Sequence, residues 1–214
     1  RTLPRSDDLV ARSAGSKFFT TFDLADGYHQ VFVEEHDIEK TTFDSGAGCF
    51  AWRRMPQGIA HAGGHFQAMM WRLLAEQGLS TEDILSYLDD LCVHSATLEE
   101  HRVKVARVLA ALRHAGFFVR PAKTQLAQRK VRFVGFVLSA DGVAPLPSKL
   151  DKLAAMPVTT VAHARAVIGL ANYYSRFVSE FADETAPLRA AVQTAVTTRA
   201  PLEWSEQCET ARRR

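Results

Sequence analysis

Short apolar runs separated by turn residues dominate the first half of the chain and predict a domain of mixed strands and helices. Three phenylalanines between positions 18 and 22 lead up to Asp23, and a glycine-containing turn follows, so this stretch predicts a strand that ends at a turn. Residues 84–94 (ILSYLDDLCVH) predict two short strands that flank a charged pair. Aromatic residues on either side of DSGAG predict a β-hairpin within residues 41–54.

Helical periodicity occurs at three places along the chain. Residues spaced i, i+3, i+4, i+7 and i+8 form one apolar helix face, which consists of Phe66, Met69, Met70, Leu73 and Leu74. Thr97 and Glu100 form a capping-box pattern at the start of a second helix, and Gly116 marks its end. The apolar stripe of that helix consists of Val105, Val108, Leu109 and Leu112. Residues 131–138 are strand-like and residues 160–181 predict a third helix, so the order of elements predicts an α+β fold with an antiparallel sheet and a helical extension.

Composition restricts the class of protein. A chain of 214 residues with 47% hydrophobic residues can bury a sizeable core, as one large domain or a domain with an appendage. It contains no long uncharged apolar run and no basic stretch followed by an apolar segment, so neither a membrane span nor a signal peptide is predicted. The first residue is not Met, which favours a piece of a longer chain. Cys49, Cys92 and Cys208 form no CxxC pair, which argues against a disulfide framework or a zinc site.

Charge is distributed unevenly along the chain. Residues 1–95 contain 8 Lys and Arg against 14 Asp and Glu, whereas residues 96–214 contain 18 against 10. An acidic half followed by a basic half suits an enzyme that holds cations in one place and a polyanion next to it. A solvated surface of mixed charge is the alternative explanation.

The pair Asp89-Asp90 lies between two apolar strands and is the main candidate for chemistry. Two adjacent carboxylates at a tight turn repel each other, so one pKa must rise unless a cation binds them. Mg²⁺ prefers such oxygen ligands and leaves positions for substrate phosphates. Asp23 also stands at the end of an apolar strand, and if that strand pairs beside residues 84–94, three carboxylates converge at one sheet end. They would then suit two metal ions about 3.5–4 Å apart, which activate a 3′-hydroxyl and stabilise a pyrophosphate leaving group. Ordinary turn chemistry is the alternative for the Asp pair.

Six motifs follow one another in the order typical of a known family. They are FDLADGYHQ (22–30), MPQGIAHAGGHFQ (55–67), YLDD (87–90), GFFVRPAK (116–123), FVGFVLSADGV (133–143) and GLANYYSRF (169–177). From Leu3 to Trp204 the chain resembles the reverse transcriptase of Ty3/gypsy-type long-terminal-repeat retrotransposons, a part of their Pol polyprotein. The resemblance implies a right-hand polymerase fold. A palm with residual fingers elements is expected in residues 1–143, a helical thumb or connection in 144–190, and a truncated start of an RNase H-like region in 191–214. The fingers are expected to be largely missing.

The resemblance also implies a function. It implies RNA-directed DNA polymerase activity, in which dNTPs are added to a primer 3′ end by nucleotidyl transfer with two Mg²⁺ ions, for which Mn²⁺ could substitute. The implied partners are an RNA or DNA template with its primer, dNTPs, and the RNase H and integrase regions fused in the parent polyprotein, with no membrane. The implied location is intracellular, in a cytoplasmic virus-like particle or the nucleus. The main alternative is a nonenzymatic, truncated retroelement remnant that only binds nucleic acid.

Within this resemblance, acidic residues form the catalytic cluster. Asp23 and Asp89 would be the principal metal ligands, assisted by the carbonyl of Leu24, and Asp90 would complete the cluster. A remote alternative comes from Asp44-Ser45-Gly46, which mimics the active-site signature of aspartic proteases. Those enzymes need two such aspartates, one from each lobe or each subunit.

Other positions of the resemblance contact the nucleotide and the primer. Tyr28 would lie under the incoming sugar and exclude a 2′-hydroxyl, Gln57 would contact the nucleotide, and Lys123 would lie near its phosphates. The expected primer contact consists of Phe133, Val134, Gly135 and Phe136. One departure from the family is Gly63-Gly64, which stands where Pro-Ala is usual. It predicts a looser helix start, since Gly in a helix interior costs roughly 1 kcal/mol relative to Ala.

Overall fold

The computed structural model describes residues 3–213, which divide into two compact units between Val143 and Ala144. The helices of the described residues are α1 (Ser6–Ala11), α2 (Ala62–Glu76), α3 (Leu98–His114), α4 (Pro147–Ala155), α5 (Val161–Tyr173), α6 (Phe181–Glu184), α7 (Ala186–Thr198) and α8 (Glu206–Arg213). The strands are β1 (Phe18–Asp23), β2 (Phe43–Asp44), β3 (Cys49–Phe50), β4 (Ile84–Tyr87), β5 (Asp90–Ser95), β6 (Gln125–Gln128), β7 (Lys130–Phe133), β8 (Phe136–Ser139) and β9 (Gly142–Pro145). Within the described range, no helix combines the length and apolar character that a membrane span requires.

An antiparallel sheet with the strand order β4–β5–β1–β6 forms the centre of the first unit. Strand β1 pairs with β5 along its whole length, from Phe18 opposite Ser95 to Asp23 opposite Asp90. Strands β4 and β5 form a hairpin whose last pair is Tyr87 and Asp90. The prediction of two short strands flanking the charged pair is therefore confirmed, and the strand that ends at Asp23 lies beside them.

Helices α2 and α3 bury their apolar faces in one hydrophobic cluster with the sheet residues Phe22 and Leu91. The predicted face of α2 is confirmed for its four buried members Phe66, Met70, Leu73 and Leu74, while Met69 is only partly buried. In α3, Val108 and Leu112 are buried as predicted, but Leu109 is 41% exposed and lies outside the core. Each fully buried Phe, Met, Leu or Val side chain stabilises the fold by roughly 1.5–3 kcal/mol. The apolar faces of α2 and α3 therefore hold both helices firmly against the sheet.

The start of α3 follows the predicted capping box. The side chain of Thr97 accepts a hydrogen bond from the backbone N–H of Glu100 at 3.3 Å. The helix gives way to Ala115 and then to Gly116, which has a φ of 72°. A left-handed glycine after the last turn is the common way to end a helix, so both predicted ends are confirmed.

Residues 131–138 form a hairpin of two strands, so their predicted strand-like character is confirmed. Strands β7 and β8 pair from Lys130 opposite Ser139 to Phe133 opposite Phe136. Val134 and Gly135 connect them with φ values of 44° and 79°. Two consecutive positive φ values match the twist of a tight hairpin, which explains how an unbroken apolar run can still reverse direction.

The second unit consists of helices α4 to α8. The predicted helix over residues 160–181 is shorter, because α5 ends at Tyr173 and a separate 3₁₀ turn covers Ser175–Phe177. The break follows Tyr174, whose φ of −107° and ψ of 14° leave the helical range while its side chain is buried. The division of this unit into a thumb and the start of an RNase H-like region stays a prediction. Its expected boundary, after residue 190, falls inside α7.

Candidate functional site

Three carboxylates meet at one edge of the central sheet. Asp23 ends β1 directly opposite Asp90, the first residue of β5. Asp89 precedes Asp90 in the connection from β4, and its carbonyl accepts a hydrogen bond from the backbone N–H of Leu24 at 3.1 Å. Leu88 in the same connection has a φ of 54°, a conformation that is costly for a branched residue and that forces a sharp bend. The backbone therefore places Asp23, Asp89 and Asp90 side by side.

The electrostatics of this edge favour a bound cation. Burial, together with the negative charges of Asp89 and Asp23, raises the pKa of Asp90 to about 6, while Lys123 acts in the opposite direction. One carboxylate oxygen of Asp23, Oδ1, is buried without a hydrogen-bond partner among the described residues. The other, Oδ2, accepts a hydrogen bond from Nζ of Lys123 at 3.0 Å. Hard oxygen donors with excess negative charge are the ligands that Mg²⁺ prefers, so these residues fit such an ion.

The carboxylates nevertheless face two different cavities. Asp23 and Asp90 line a cavity of about 430 Å³, whereas Asp89 lines another of about 380 Å³. Across residues 3–213, no three His, Cys, Asp or Glu side chains converge closely enough to form a metal-ligand group. The fold thus brings the three aspartates to one edge but does not gather their side chains around one point.

The cavity beside Asp89 contains the residues expected to contact a nucleotide. Both Tyr28 and Gln57 line it. The ring of Tyr28 packs on Phe66 with a centroid distance of 5.3 Å, and burial raises the pKa of its hydroxyl, as does the charge of Asp89. A Cβ atom at Gly27 would lie 2.9 Å from the Cβ of Asp89, so only glycine permits this close approach.

Gly63 also bears on the position of Tyr28. A Cβ atom at Gly63 would lie 3.1 Å from the Tyr28 hydroxyl and 3.4 Å from the side chain of Leu88. The sequence predicted only that the glycine pair loosens the start of a helix. In the structure, Gly63 is the second residue of α2 and leaves room for the tyrosine hydroxyl.

The cavity beside Asp23 and Asp90 contains Lys123 and the segment expected to contact a primer. Phe133 and Val134 line it together with Lys123. Phe133 and Phe136 are buried in the core of the first unit, so the accessible part of this segment is the turn at Val134 and Gly135. Lys123 therefore lies against Asp23 and lines a different cavity from Gln57.

Two residues of this region carried no functional interpretation from the sequence. Gln67 is buried, and its side chain donates to Ser86 Oγ at 2.9 Å and accepts from the backbone N–H of Leu88 at 2.7 Å. It thereby fixes the bend that precedes Asp89. Arg120 lines the cavity with Tyr28 and Gln57. The sequence could have indicated Gln67, because it is a polar residue next to the apolar face of α2. No pattern along the chain indicates that Arg120 lines the same cavity as Tyr28 and Gln57.

The protease-like motif forms the turn of the β2–β3 hairpin. Asp44 pairs with Cys49, and its Oδ1 accepts a hydrogen bond from the backbone N–H of Gly46 at 2.8 Å. This geometry is a common local turn in which aspartate hydrogen-bonds two residues ahead. The turn accounts for Asp44-Ser45-Gly46 without any catalytic role.

Comparison with known proteins identifies a family and close relatives. The family model described as reverse transcriptase (RNA-dependent DNA polymerase) matches residues 2–138. The chain is 31% identical over 192 residues to the retrovirus-related Pol polyprotein from transposon 297 of Drosophila melanogaster, covering 89% of this chain. It is 33% identical over 187 residues to the Pol polyprotein from transposon gypsy of the same organism, covering 87% of this chain. The chain spans only 18% of the length of each of these relatives.

Solved structures show the same fold. A foamy viral protease-reverse transcriptase in complex with double-stranded DNA matches 99% of this chain with a TM-score of 0.87 and 23% identity, over 37% of its own length. The same viral protein in complex with an RNA/DNA hybrid matches 99% of this chain with a TM-score of 0.85 and 23% identity, over 28% of its own length. The predicted α+β fold of a polymerase palm with a helical thumb is therefore confirmed.

Proposed function

This chain belongs to the reverse transcriptase family, and on that premise we propose that it carries the polymerase centre of an RNA-directed DNA polymerase from a long-terminal-repeat retrotransposon. The reaction is the addition of a dNTP to the 3′ end of a primer, with release of pyrophosphate. The observation that carries the proposal is the register of the central sheet, in which Asp23 lies opposite Asp90 with Asp89 next to it. Three acidic side chains at one sheet edge are what nucleotidyl transfer with divalent ions needs.

The three aspartates are proposed to hold two Mg²⁺ ions, which Mn²⁺ could replace. Asp23 and Asp89 would be the main ligands, with the carbonyl of Leu24, and Asp90 would support them. Because the three side chains are not gathered into one metal-ligand group among residues 3–213, the carboxylates of Asp23 and Asp89 would have to move closer together to share ions. When bound, the ions would favour ionisation of the primer 3′-hydroxyl and neutralise charge on the leaving pyrophosphate.

The remaining proposed roles follow from the two cavities. Tyr28 would contact the sugar of the incoming nucleotide and exclude a 2′-hydroxyl, and its position between Phe66 and the cavity supports a rigid contact. Gln57, which lines the same cavity as Tyr28, would contact the nucleotide. Lys123 would neutralise or protonate pyrophosphate as it leaves. The turn between Phe133 and Phe136 would contact the primer end, which is supported by its place beside Asp23.

The proposed partners are a primed RNA or DNA template, dNTPs, and the RNase H and integrase regions of a parent polyprotein. The template proposal is supported by the nucleic acids named in the complexes of the viral relatives, double-stranded DNA and an RNA/DNA hybrid. The polyprotein proposal is supported by the Pol polyproteins that match most of the chain. We place the reaction inside the cell, in a virus-like particle or the nucleus.

Primer extension tests this function. The chain is incubated with a primed RNA or DNA template, dNTPs and Mg²⁺, beside the variant Asp89→Asn and the control variant Asp44→Asn, which lies in the exposed hairpin turn. The proposal predicts extension by the wild type and the control, and a loss of at least about a thousandfold, or about 4 kcal/mol of activation free energy, in Asp89→Asn.

The alternative function predicts a different result in the same experiment. A nonenzymatic remnant would bind the primed template in a salt-sensitive manner without extending it. Binding without extension by the wild type, in a preparation that unfolds cooperatively, would contradict the polymerase proposal. Ribonucleotide incorporation by Tyr28→Ala tests the sugar contact separately, and unchanged discrimination against ribonucleotides would remove that role from Tyr28.

A further inference from the structure

Arg120 places a permanent positive charge beside the cavity of Tyr28 and Gln57. Its backbone N–H donates a hydrogen bond to the carbonyl of Asp23 at 2.9 Å, which fixes Arg120 next to the end of β1. Its guanidinium donates from Nη2 to Oδ1 of Asp26 at 2.6 Å and lies 3.7 Å from Oδ1 of Asp23. The side chain of Arg120 is 38% exposed and lines the cavity of Tyr28 and Gln57.

We propose that Arg120 binds the phosphate chain of the incoming nucleotide and that it exchanges its ion pair with Asp26 for this contact when the nucleotide arrives. The inference rests on the proposed function, because it assumes that a nucleoside triphosphate enters this cavity. A planar guanidinium presents a fork of N–H donors that matches two phosphate oxygens at once. A cavity of about 380 Å³ is large enough for part of a nucleotide, and Arg120 forms one wall of it.

The other nearby cation is less suited to this contact. Lys123 lines the second cavity and donates to Asp23 at 3.0 Å, so it lies on the side of Asp90 rather than that of Gln57. Of the residues that line the Gln57 cavity, Arg120 is the one that is positively charged at every physiological pH, and Asp26 and Asp89 are acidic. A triphosphate that contacts Gln57 would therefore have Arg120 as its cationic partner in this cavity.

The ion pair with Asp26 is easy to exchange for a phosphate. The side chain of Asp26 is 70% exposed, and exposed ion pairs contribute little to stability. A hydrogen bond to an ionised phosphate inside a cavity is stronger than such an exposed pair. The exchange of one anionic partner for the other is thus favourable when a nucleotide is present.

A purely structural role for the pair is already filled by Gln30. The backbone from Asp26 to Gln30 is joined to Phe118 by a hydrogen bond from Gln30 Nε2 to the Phe118 carbonyl at 3.0 Å and one from the Phe118 N–H to Gln30 Oε1 at 2.6 Å. The N–H of Ala25 also donates to the Phe118 carbonyl at 2.9 Å. Three hydrogen bonds fix this turn without the side chain of Arg120.

The test measures nucleotide binding without chemistry. The chain is bound to a primer–template whose primer ends in a dideoxynucleotide, and the dissociation constant of the next nucleotide, dTTP, is measured with Mg²⁺. Loss of the guanidinium in Arg120→Gln should raise this constant about tenfold, and Arg120→Lys should restore part of the loss. The charge-matched control Arg113→Gln, on the exposed side of α3, should leave it unchanged.

A substitution at Asp26 separates the phosphate contact from a structural role. If Arg120 binds phosphate, Asp26→Asn removes a competing anion and leaves dTTP binding unchanged or tighter. If the pair only fixes the turn, Asp26→Asn weakens binding as much as Arg120→Gln, and the inference is overturned. Equal dTTP binding by Arg120→Gln and the wild type would also overturn it.

The same experiment distinguishes failure of this inference from failure of the proposed function. Binding of dTTP by the wild type that does not depend on the base of the template would contradict the polymerase proposal itself. Template-dependent binding that is unaffected by Arg120→Gln would contradict only the role of Arg120. Thermal unfolding midpoints within about 2 °C of the wild type would show that each variant is folded. If Arg120→Gln is unfolded, dTTP binding by Arg120→Lys provides the test instead.

Discussion

Replacement of Asp90 by asparagine should stabilise the protein at neutral pH, although Asp90 belongs to the proposed catalytic cluster. Burial, together with the charges of Asp89 and Asp23, raises the pKa of Asp90 from its ordinary value of 3.8 to about 6. A carboxyl whose pKa is raised by folding is favoured in its protonated form. The folded state therefore bears no penalty at Asp90 below pH 4, and it loses stability as the pH rises through about 6.

The size of this effect follows from the pKa. A difference of about two pKa units corresponds to about 3 kcal/mol at a pH well above both values. Because Asp90 is only partly buried, solvent screening reduces this figure, and we expect about 1.5 kcal/mol. Asparagine has the same shape without the charge, so Asp90→Asn should be more stable than the wild type by about that amount at pH 7.5. For a chain of this length, the melting temperature should rise by roughly 3–6 °C.

Unfolding followed by circular dichroism between pH 4 and pH 8, without divalent ions, measures the effect. The stability of Asp90→Asn and the wild type should differ least at pH 4, diverge as the pH rises from about 4 to about 6, and keep a constant difference above that range. Asp44→Asn, in the exposed hairpin turn, is the control and should show no such divergence. If Asp90→Asn were no more stable than the wild type at pH 7.5, or equally stabilised at pH 4, the carboxylates would not repel each other as inferred.

Three further substitutions test the surroundings of the site and the second unit. Gly27→Ala places a methyl group 2.9 Å from the Cβ of Asp89. The clash should lower the free energy of unfolding measured in urea by about 1–3 kcal/mol and abolish primer extension. A free energy of unfolding equal to that of the wild type would show that the turn can adapt. Gln67→Leu removes the hydrogen bond of 2.7 Å that the backbone N–H of Leu88 donates to Gln67. The buried groups left without a partner should lower the free energy of unfolding by about 1–3 kcal/mol and slow primer extension. Unchanged primer extension would contradict this prediction. Gly169→Ala adds a methyl group within helix α5, where no atom lies within 4 Å of the new Cβ. Because alanine favours a helix more than glycine does, the second unit should become more stable by about 0.5–1 kcal/mol. A lower unfolding midpoint would refute this prediction.

The elements with strong local signals were predictable from the sequence. The capping box at Thr97 and the apolar face that includes Phe66 describe interactions between neighbours in the chain, and the structure contains both. The bend at Asp89 between two apolar strands was predictable for the same reason. Leu109 was assigned to the core incorrectly. The helical periodicity places it at the edge of the apolar face of α3, and whether a residue at that edge is buried depends on tertiary packing.

Features that depend on backbone conformation or distant contacts were not predictable. Val134 takes a φ of 44°, which a β-branched residue rarely adopts, so nothing in the sequence indicated the turn between β7 and β8. Arg120 reaches the candidate site only because Val119 forms an isolated bridge with Leu24, almost a hundred positions away in the chain. The separation of Asp89 from Asp23 into two cavities likewise depends on side-chain directions that no spacing along the chain encodes.

Binding of Mn²⁺, followed by electron paramagnetic resonance, tests most directly whether the aspartates form a cation site. The titration is performed on the chain with a dideoxy-terminated primer–template and the next dNTP, beside the variants Asp23→Asn and Asp89→Asn. We predict two bound ions for the wild type and a weakened or missing ion in each variant. Equal numbers of ions, bound with equal affinity by the wild type and both variants, would contradict the account.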